Sequence, residues 1–313
     1  MLQLRRLVFA LAGSLALAAP ALAGKLAIVI DDFGYRPSTE NQVLAMPAEV
    51  SVAVLPNAPH AREMATKAHN QGHDVLIHLP MAPLSKQPLE KDTLRPDMSS
   101  EEIARIIREA VNDVPYAIGM NNHMGSAMTS SLPGMQKVMA ALAHYNLFFL
   151  DSMTIGNSQA MRAAAGTGVK VIKRKVFLDD TQNEADIRYQ FNRAVALARR
   201  NGSAIAIGHP HPSTVRVLQQ MLYSLPADIT LARASSLLNE PQVDTSRPNA
   251  APPSQTAPAA PRNPFRGVKL CKPKRQPEPV YATRFFTVIS ESVSESAVVS
   301  YFRHQWQGWG KQS

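Results

Sequence analysis

Two adjacent carboxylates, Asp31 and Asp32, directly follow the apolar run Leu26-Ala27-Ile28-Val29-Ile30 and precede Phe33-Gly34. The run reads as a buried strand. Charged groups at its C-terminal edge belong at a site, because burying unpaired charge in a core is too costly. Side chains alternate across a strand, so the two Asp are expected to point differently and to take different tasks, one binding a metal and the other handling a proton. Three imidazoles complete the chemistry: His78, His123 and His209. A divalent cation takes about three Asp/His ligands and keeps an open position. Asp32, His78 and His123 offer that set, Asp31 a base, and His209 a second acid/base group. The combination fits metal-assisted hydrolysis. Zinc ranks first for these donors, with manganese, iron, cobalt and nickel as the other cations they accept.

The elements that must carry these residues alternate. Strands are expected at 26–30, 50–55, 74–79, 116–120, 147–150, 169–172, 204–207 and 229–231. Helical stretches lie between them. One begins at Ser99-Ser100-Glu101-Glu102 with a capping-box pattern, one covers 58–71 ahead of Gly72, and one runs over 184–200 to Asn201-Gly202. Alternating β and α elements imply a parallel sheet. Seven or eight repeats over 24–240 favour an α/β fold of the (β/α) barrel type, irregular and with seven to eight parallel strands, over a doubly wound open sheet. The candidate residues follow successive strands, which puts them on one rim: Asp31 and Asp32, His78, Asn121-Asn122-His123, Asp151, His209.

Around the cation and the base, Asn122, Asp151, His211 and Arg174 are candidates for orienting groups. Arg174, in Lys173-Arg174-Lys175, is also a candidate contact for an anionic substrate group. Asp179-Asp180 reads as a cap for the following segment. His73 precedes its strand and should face away, and His60, His69 and His144 fall on helical stretches as surface or packing residues.

The first 23 residues have a basic start (Arg5-Arg6), an apolar stretch and the small-residue ending Ala21-Leu22-Ala23, the pattern of a secretory signal peptide. An exported, periplasmic protein follows from it, with no membrane span after cleavage. The one cysteine, Cys271, cannot form an internal disulfide. The net charge of +9 is unevenly spread: Arg5 and Arg6 supply two and residues 247–313 supply seven, leaving 24–246 neutral. A neutral domain lacks the footprint of a nucleic-acid binder. Residues 241–263 are Pro/Ala-rich and read as a linker; 264–313 read as a basic tail without a packed core, apart from a strand-like stretch at 285–289.

These motifs resemble the divergent polysaccharide deacetylase family, a distant branch of the NodB-type carbohydrate deacetylases. The matching pieces are Ile28-Val29-Ile30-Asp31-Asp32-Phe33-Gly34, Gly72-His73-Asp74-Val75-Leu76-Ile77-His78, Gly119-Met120-Asn121-Asn122-His123-Met124-Gly125-Ser126 and Gly208-His209-Pro210. The resemblance implies a NodB-like barrel and hydrolytic removal of N-acetyl or other acyl groups from an envelope polysaccharide or amino sugar. It implies Asp31 as base, Asp32 and His78 as ligands, and His209 as the histidine near the leaving group. The family's second metal histidine falls four residues after the first, where this chain has Ala82; His123 is assigned its place from strand order. The family's Arg-x-x-Pro-Tyr loop has no counterpart, and Phe33 interrupts the Asp-Asp-Gly run. A carbohydrate-binding or scaffold protein that has lost catalysis, and a glycosidase, are the alternative readings.

Overall fold

The computed structural model describes residues 23–240. The signal-peptide, linker and tail assignments, with Cys271, lie outside the described residues. Within them, nine strands alternate with helices: β1 (Gly24–Phe33), α1 (Pro37–Leu44), β2 (Ser51–Val54), α2 (Ala61–Asn70), β3 (Val75–Met81), α3 (Ser100–Asp113), β4 (Gly119–Met124), α4 (Ser126–Ser130), α5 (Leu132–Leu142), β5 (Phe148–Asp151), α6 (Ala160–Ala163), β6 (Val171–Lys173), β7 (Val176–Phe177), α7 (Glu184–Asn201), β8 (Ser203–Gly208), α8 (Pro212–Met221) and β9 (Ile229–Leu231).

Every strand pairing is parallel, in the order β6-β5-β4-β3-β2-β1-β8-β7, with β9 beside the start of β1. The two ends of this order are two halves of one segment. Arg174 N–H donates to Asp151 O of β5 (3.0 Å), and the next residue, Lys175, donates to Ile205 O of β8 (2.8 Å). The sheet therefore curls until a single split strand bridges both edges, giving the irregular (β/α) barrel that the alternation implies.

Period-two alternation divides the strand residues into two layers. Ala27, Val29, Ala53, Leu76, Phe148, Leu150, Ile172, Ile205 and Ile207 pack together inside the barrel, and Ala234 and Leu237, from a short 3-10 turn, join that cluster. Leu26, Ile28, Ile30, Val52, Val54, Ile77, Leu79 and Met120 pack outward with the helices. Those helices carry apolar stripes: α3 buries Ile103, Ile106, Ile107 and Ala110 behind a Ser99 cap, whose hydroxyl accepts from Glu102 N–H (3.1 Å). Helix α7 starts at Asn183, which caps Ala185 N–H, and stops at Gly202 in the left-handed region.

Two expected boundaries shift in ways that matter. Strand β4 starts at Gly119 rather than 116, because Tyr116 has φ +65° and stacks on His69 with ring centroids 4.1 Å apart. Asn121, Asn122 and His123 thus lie on the strand and not after it. Likewise His78 is the fourth residue of the seven in β3, with Leu79, Pro80 and Met81 continuing past it.

Candidate metal centre and acid–base site

The inward-facing columns continue upward into polar residues. Above Ala27 and Val29 comes Asp31; above Leu76, His78; above Gly119, Asn121 and then His123; above Ile205 and Ile207, His209. Strand register brings the columns level: His78 pairs with Asn121 and Pro80 with His123, while Ile30 opposite Gly208 sets Asp31 beside His209.

Asp32 breaks the alternation. Between Ile30 and Phe33, β1 uses three steps where β2 uses two, from Val52 to Val54, so a β-bulge inserts one residue. Asp32 takes it up at φ +59°, a conformation that Asp tolerates better than most residues. The expectation that the two carboxylates point apart is therefore corrected. Both turn to the same imidazole: His78 Nε2 is 3.6 Å from Asp31 Oδ2 and 3.2 Å from Asp32 Oδ1. The turn that follows is held by buried Glu40, whose Oε1 accepts the backbone N–H groups of Gly34, Tyr35 and Arg36 (3.0, 3.0 and 2.6 Å).

Asp32 Oδ1, His78 Nε2 and His123 Nδ1 form a nearly equilateral triangle. Its edges are 3.2 Å (Asp32–His78), 3.1 Å (Asp32–His123) and 3.1 Å (His78–His123). A tetrahedral cation with bonds of about 2.0–2.1 Å requires donor separations of about 3.3–3.4 Å, which the triangle meets within a few tenths of an ångström. Asp32 Oδ1 is buried and makes no well-formed hydrogen bond despite the two nearby nitrogens. Such an orphaned oxygen suits a cation. The tautomer of His78 suits it too. Its Nδ1 donates to Asn121 Oδ1 (2.8 Å), because the Asn121 amide N–H is spent on Asp31 Oδ1 (2.8 Å), and this leaves the Nε2 lone pair facing the triangle. The Asp32, His78 and His123 set fits a divalent cation.

The electrostatics agree. Burial opposes charge on Asp32, but the imidazoles of His123 and His78 outweigh it and hold its carboxyl far below the usual carboxylate range. Burial pushes the Asp31 carboxyl up, and His78, His209 and the Asn121 amide offset only part of this. Burial disfavours protonated His78, yet Asp31 and Asp32 raise its pKa overall. The two carboxylates thus draw positive charge to one point, whether as a proton or a metal.

His209 stands beside Asp31 on the neighbouring strand's end, with its Nε2 3.9 Å from Asp32 Oδ2. Its Nδ1 donates to Asp179 Oδ1 (2.9 Å) and its backbone N–H to Asp179 Oδ2 (2.7 Å); Thr214 Oγ1 also donates to Oδ2 (2.7 Å). Burial works against a charged ring, but the hydrogen bond and charge of Asp179, with Asp32 and Asp31 behind, raise His209 to about 9. Asp179 was expected to cap a segment; it is instead the buried partner of His209. The nearby Asp179, His209 and His211 could also be drawn as a metal cluster. Three donors already occupy the Asp179 oxygens, however, so this group reads as an acid–base pair.

The expected surrounding layer is partly replaced. Asn121, and not Asn122, touches the site. Asn122 has outward parity on β4, and its amide bridges loops, donating to Met124 O (2.6 Å) and accepting from Ser152 N–H (3.0 Å). Asp151 also has outward parity. It is buried, with Oδ1 accepting from Met153 N–H (2.9 Å), so it shapes the β5 loop and does not orient a ligand. Arg174 is held against the β5 loop. Its Nε donates to Ser152 O (2.5 Å) and its terminal nitrogen to Met153 O (2.8 Å), and its guanidinium lies 4.9 Å from the Phe177 ring centroid. Burial lowers its pKa. Two of the Arg174 donors are thus spent on carbonyls of the β5 loop. His211 begins α8 and meets the Gln182 amide (3.3 Å), with its ring 5.7 Å from that of His209. His73 is buried against the Val50 and Leu44 carbonyls, away from the site as expected.

Comparison with known proteins shows the family and the fold. The family model for divergent polysaccharide deacetylases matches residues 28–238. The chain is 77% identical over 312 residues to the Escherichia coli (strain K12) protein titled "Uncharacterized protein YibQ", covering 100% of this chain and 97% of that one. It is 47% identical over 224 residues to an uncharacterized Haemophilus influenzae protein, covering 72% and 80%. Among solved structures, the uncharacterized protein ATU2773 from Agrobacterium tumefaciens C58 shares the fold, with a TM-score of 0.64 at 20% identity, covering 70% of this chain and 91% of that one. The chain belongs to the divergent polysaccharide deacetylase family.

Proposed function

We propose that this protein hydrolyses an acyl amide, in the first instance an N-acetyl group on an amino-sugar polymer of the cell envelope, with a divalent cation, zinc first, on Asp32, His78 and His123. The observation that carries the reading is one arrangement: the donor triangle has a buried carboxylate, Asp31, on one side and a histidine with pKa about 9, His209, close to Asp32. A bound cation would supply Lewis acidity to the acyl carbonyl and to the attacking water.

The chain's own residues supply the proton traffic. Asp31 accepts a proton from water as its oxygen attacks the carbonyl carbon. Its carboxyl, raised by burial, is a stronger base than an exposed Asp. Asn121 fixes that carboxylate and His78 with a single amide, so base and ligand hold a constant spacing. His209, held by Asp179, then gives its Nε2 proton to the sugar nitrogen as the C–N bond breaks, releasing a carboxylic acid and a free amine. A residue with pKa about 9 is protonated at neutral pH and so enters the cycle as the acid. The envelope location rests on the leader-like residues 1–23. Among the described residues no helix is long and apolar enough to cross a membrane.

The test is release of acetate from N-acetylated amino-sugar oligomers by chelator-stripped and zinc-reloaded protein, with Asp31→Asn alongside. The expected result is metal-dependent acetate release that Asp31→Asn abolishes while still binding one equivalent of zinc. A protein that takes up no stoichiometric divalent cation and ignores chelators would instead support a carbohydrate-binding role for the barrel. Fractionation of the full chain tests its placement in the periplasm.

A further inference from the structure

The segment 82–99, between β3 and α3, is a long strap pinned at its base. Ala82 N–H donates to Leu94 O (2.8 Å) and Leu94 N–H to Pro80 O (2.9 Å). The Ala82 carbonyl receives the N–H groups of Ala127 and Met128, and Leu84 N–H donates to Ser126 Oγ. The main chain of Ala82 thus fastens this strap to the turn that follows β4 as well as to Leu94. The strap's outer part is exposed, and Asn57 steadies it through the Lys91 carbonyl (3.0 Å).

From that outer part Glu90 reaches back to the centre. Its Oε1 lies 3.4 Å from His123 Nε2, the ring nitrogen opposite the one in the donor triangle. The neighbouring cation, Lys91, turns to Asp92 (3.7 Å) and leaves Glu90 directed at the histidine. A metal on Nδ1 obliges His123 to carry its proton on Nε2, where this carboxylate waits. A carboxylate on the far nitrogen of a ligand imidazole fixes its tautomer and ring orientation and raises its donor strength. His78 has its own orienting group in Asn121, whereas on its own strand His123 has none; its ring meets His78 edge-on at 4.9 Å.

We propose, resting on the metal-site reading above, that Glu90 is the positioning residue for His123. It selects Nδ1 as the metal-facing atom and ties retention of the cation to the seating of the 82–94 strap. The ligand on β4 thereby acquires an orienting partner from the loop that follows β3.

Calorimetric titration of Zn2+ into the chelator-stripped full chain tests this for wild type, Glu90→Ala, Glu90→Gln and His123→Ala. Glu90→Ala should bind one Zn2+ about 10–100-fold more weakly than wild type, with Glu90→Gln between them because its carbonyl still accepts from Nε2–H. His123→Ala should lose stoichiometric binding. The stripped variants should keep the wild-type circular dichroism, since Glu90 is partly exposed, and Co2+-loaded Glu90→Ala should show an altered visible spectrum. A Glu90→Ala affinity within about twofold of wild type would overturn the Glu90 assignment and leave the metal site standing. A wild type that takes up no Zn2+ would overturn both.

Discussion

Replacing Asp179 by Asn tests the acid–base pair most directly. In the metal-free protein His209 sits at about 9, against 6.5 for an ordinary imidazole. That difference corresponds to about 3 kcal/mol of preference for the charged ring in the folded state. Because the folded value lies above the unfolded one, this stability is fully present below pH 6.5 and is lost as the pH rises through 9. Asn at 179 keeps an oxygen for the Nδ1–H but removes the charge, while burial still disfavours the cation. His209 should then titrate at least about one unit lower, a change worth about 1.4 kcal/mol. The other carboxylate oxygen becomes an NH2 group, so the His209 backbone N–H and the Thr214 hydroxyl both lose their acceptor, costing about 1–3 kcal/mol at all pH values for each group left unpaired. The assay is NMR titration of the His209 ring in chelator, paired with urea unfolding at pH 6 and pH 9.5. Wild type should lose more stability than Asp179→Asn between those two pH values. A variant whose His209 titrates within about half a unit of wild type would refute the claim that Asp179 sets this proton affinity.

Three further outcomes follow from the geometry. Asn121→Leu should weaken Zn2+ binding about 10–100-fold by calorimetry, because the tautomer of His78 loses its anchor. Zinc affinity should fall on acidification, since Asp31 and Asp32 raise the His78 pKa and a proton then competes for Nε2; a pH-independent affinity from pH 5 to 8 would contradict this. Gly34→Ala should destabilise the fold by about 1–3 kcal/mol in urea unfolding, because Gly34 has φ +113° and an added Cβ would lie 2.5 Å from Ala58 Cβ.

Much of this site was legible in the sequence because a buried parallel strand declares itself as an apolar run, and polar residues at its end have few structural reasons to be there. Asp31, Asp32, His78, His123 and His209 all stood out for that reason, and the structure brings them together. The choice of Asn122 over Asn121 failed on register alone. With β4 placed at Gly119–Met124, alternation from His123 selects Asn121. The convergence of Asp31 and Asp32 was not readable, because a one-residue bulge leaves no periodic trace. Asp179 was missed because β7 has only two residues, too few to show a pattern. Glu90 lies on a strap whose path depends on pairing between Ala82 and Leu94, a contact without a local signal.

The split strand has a mechanical corollary. Residues 171–177 are shared between two neighbours, so no ladder of main-chain bonds joins β6 to β7, and the Arg174 side chain rivets that breach from the β5 loop to the Phe177 ring. The ligand triangle instead rides on β1, β3 and β4, on the unbroken side of the wall, where continuous pairing keeps its members in step. Fewer main-chain bonds cross the stretch between Ser152 and Asp179, so its amides are expected to exchange with solvent faster than those of β1, β3 and β4.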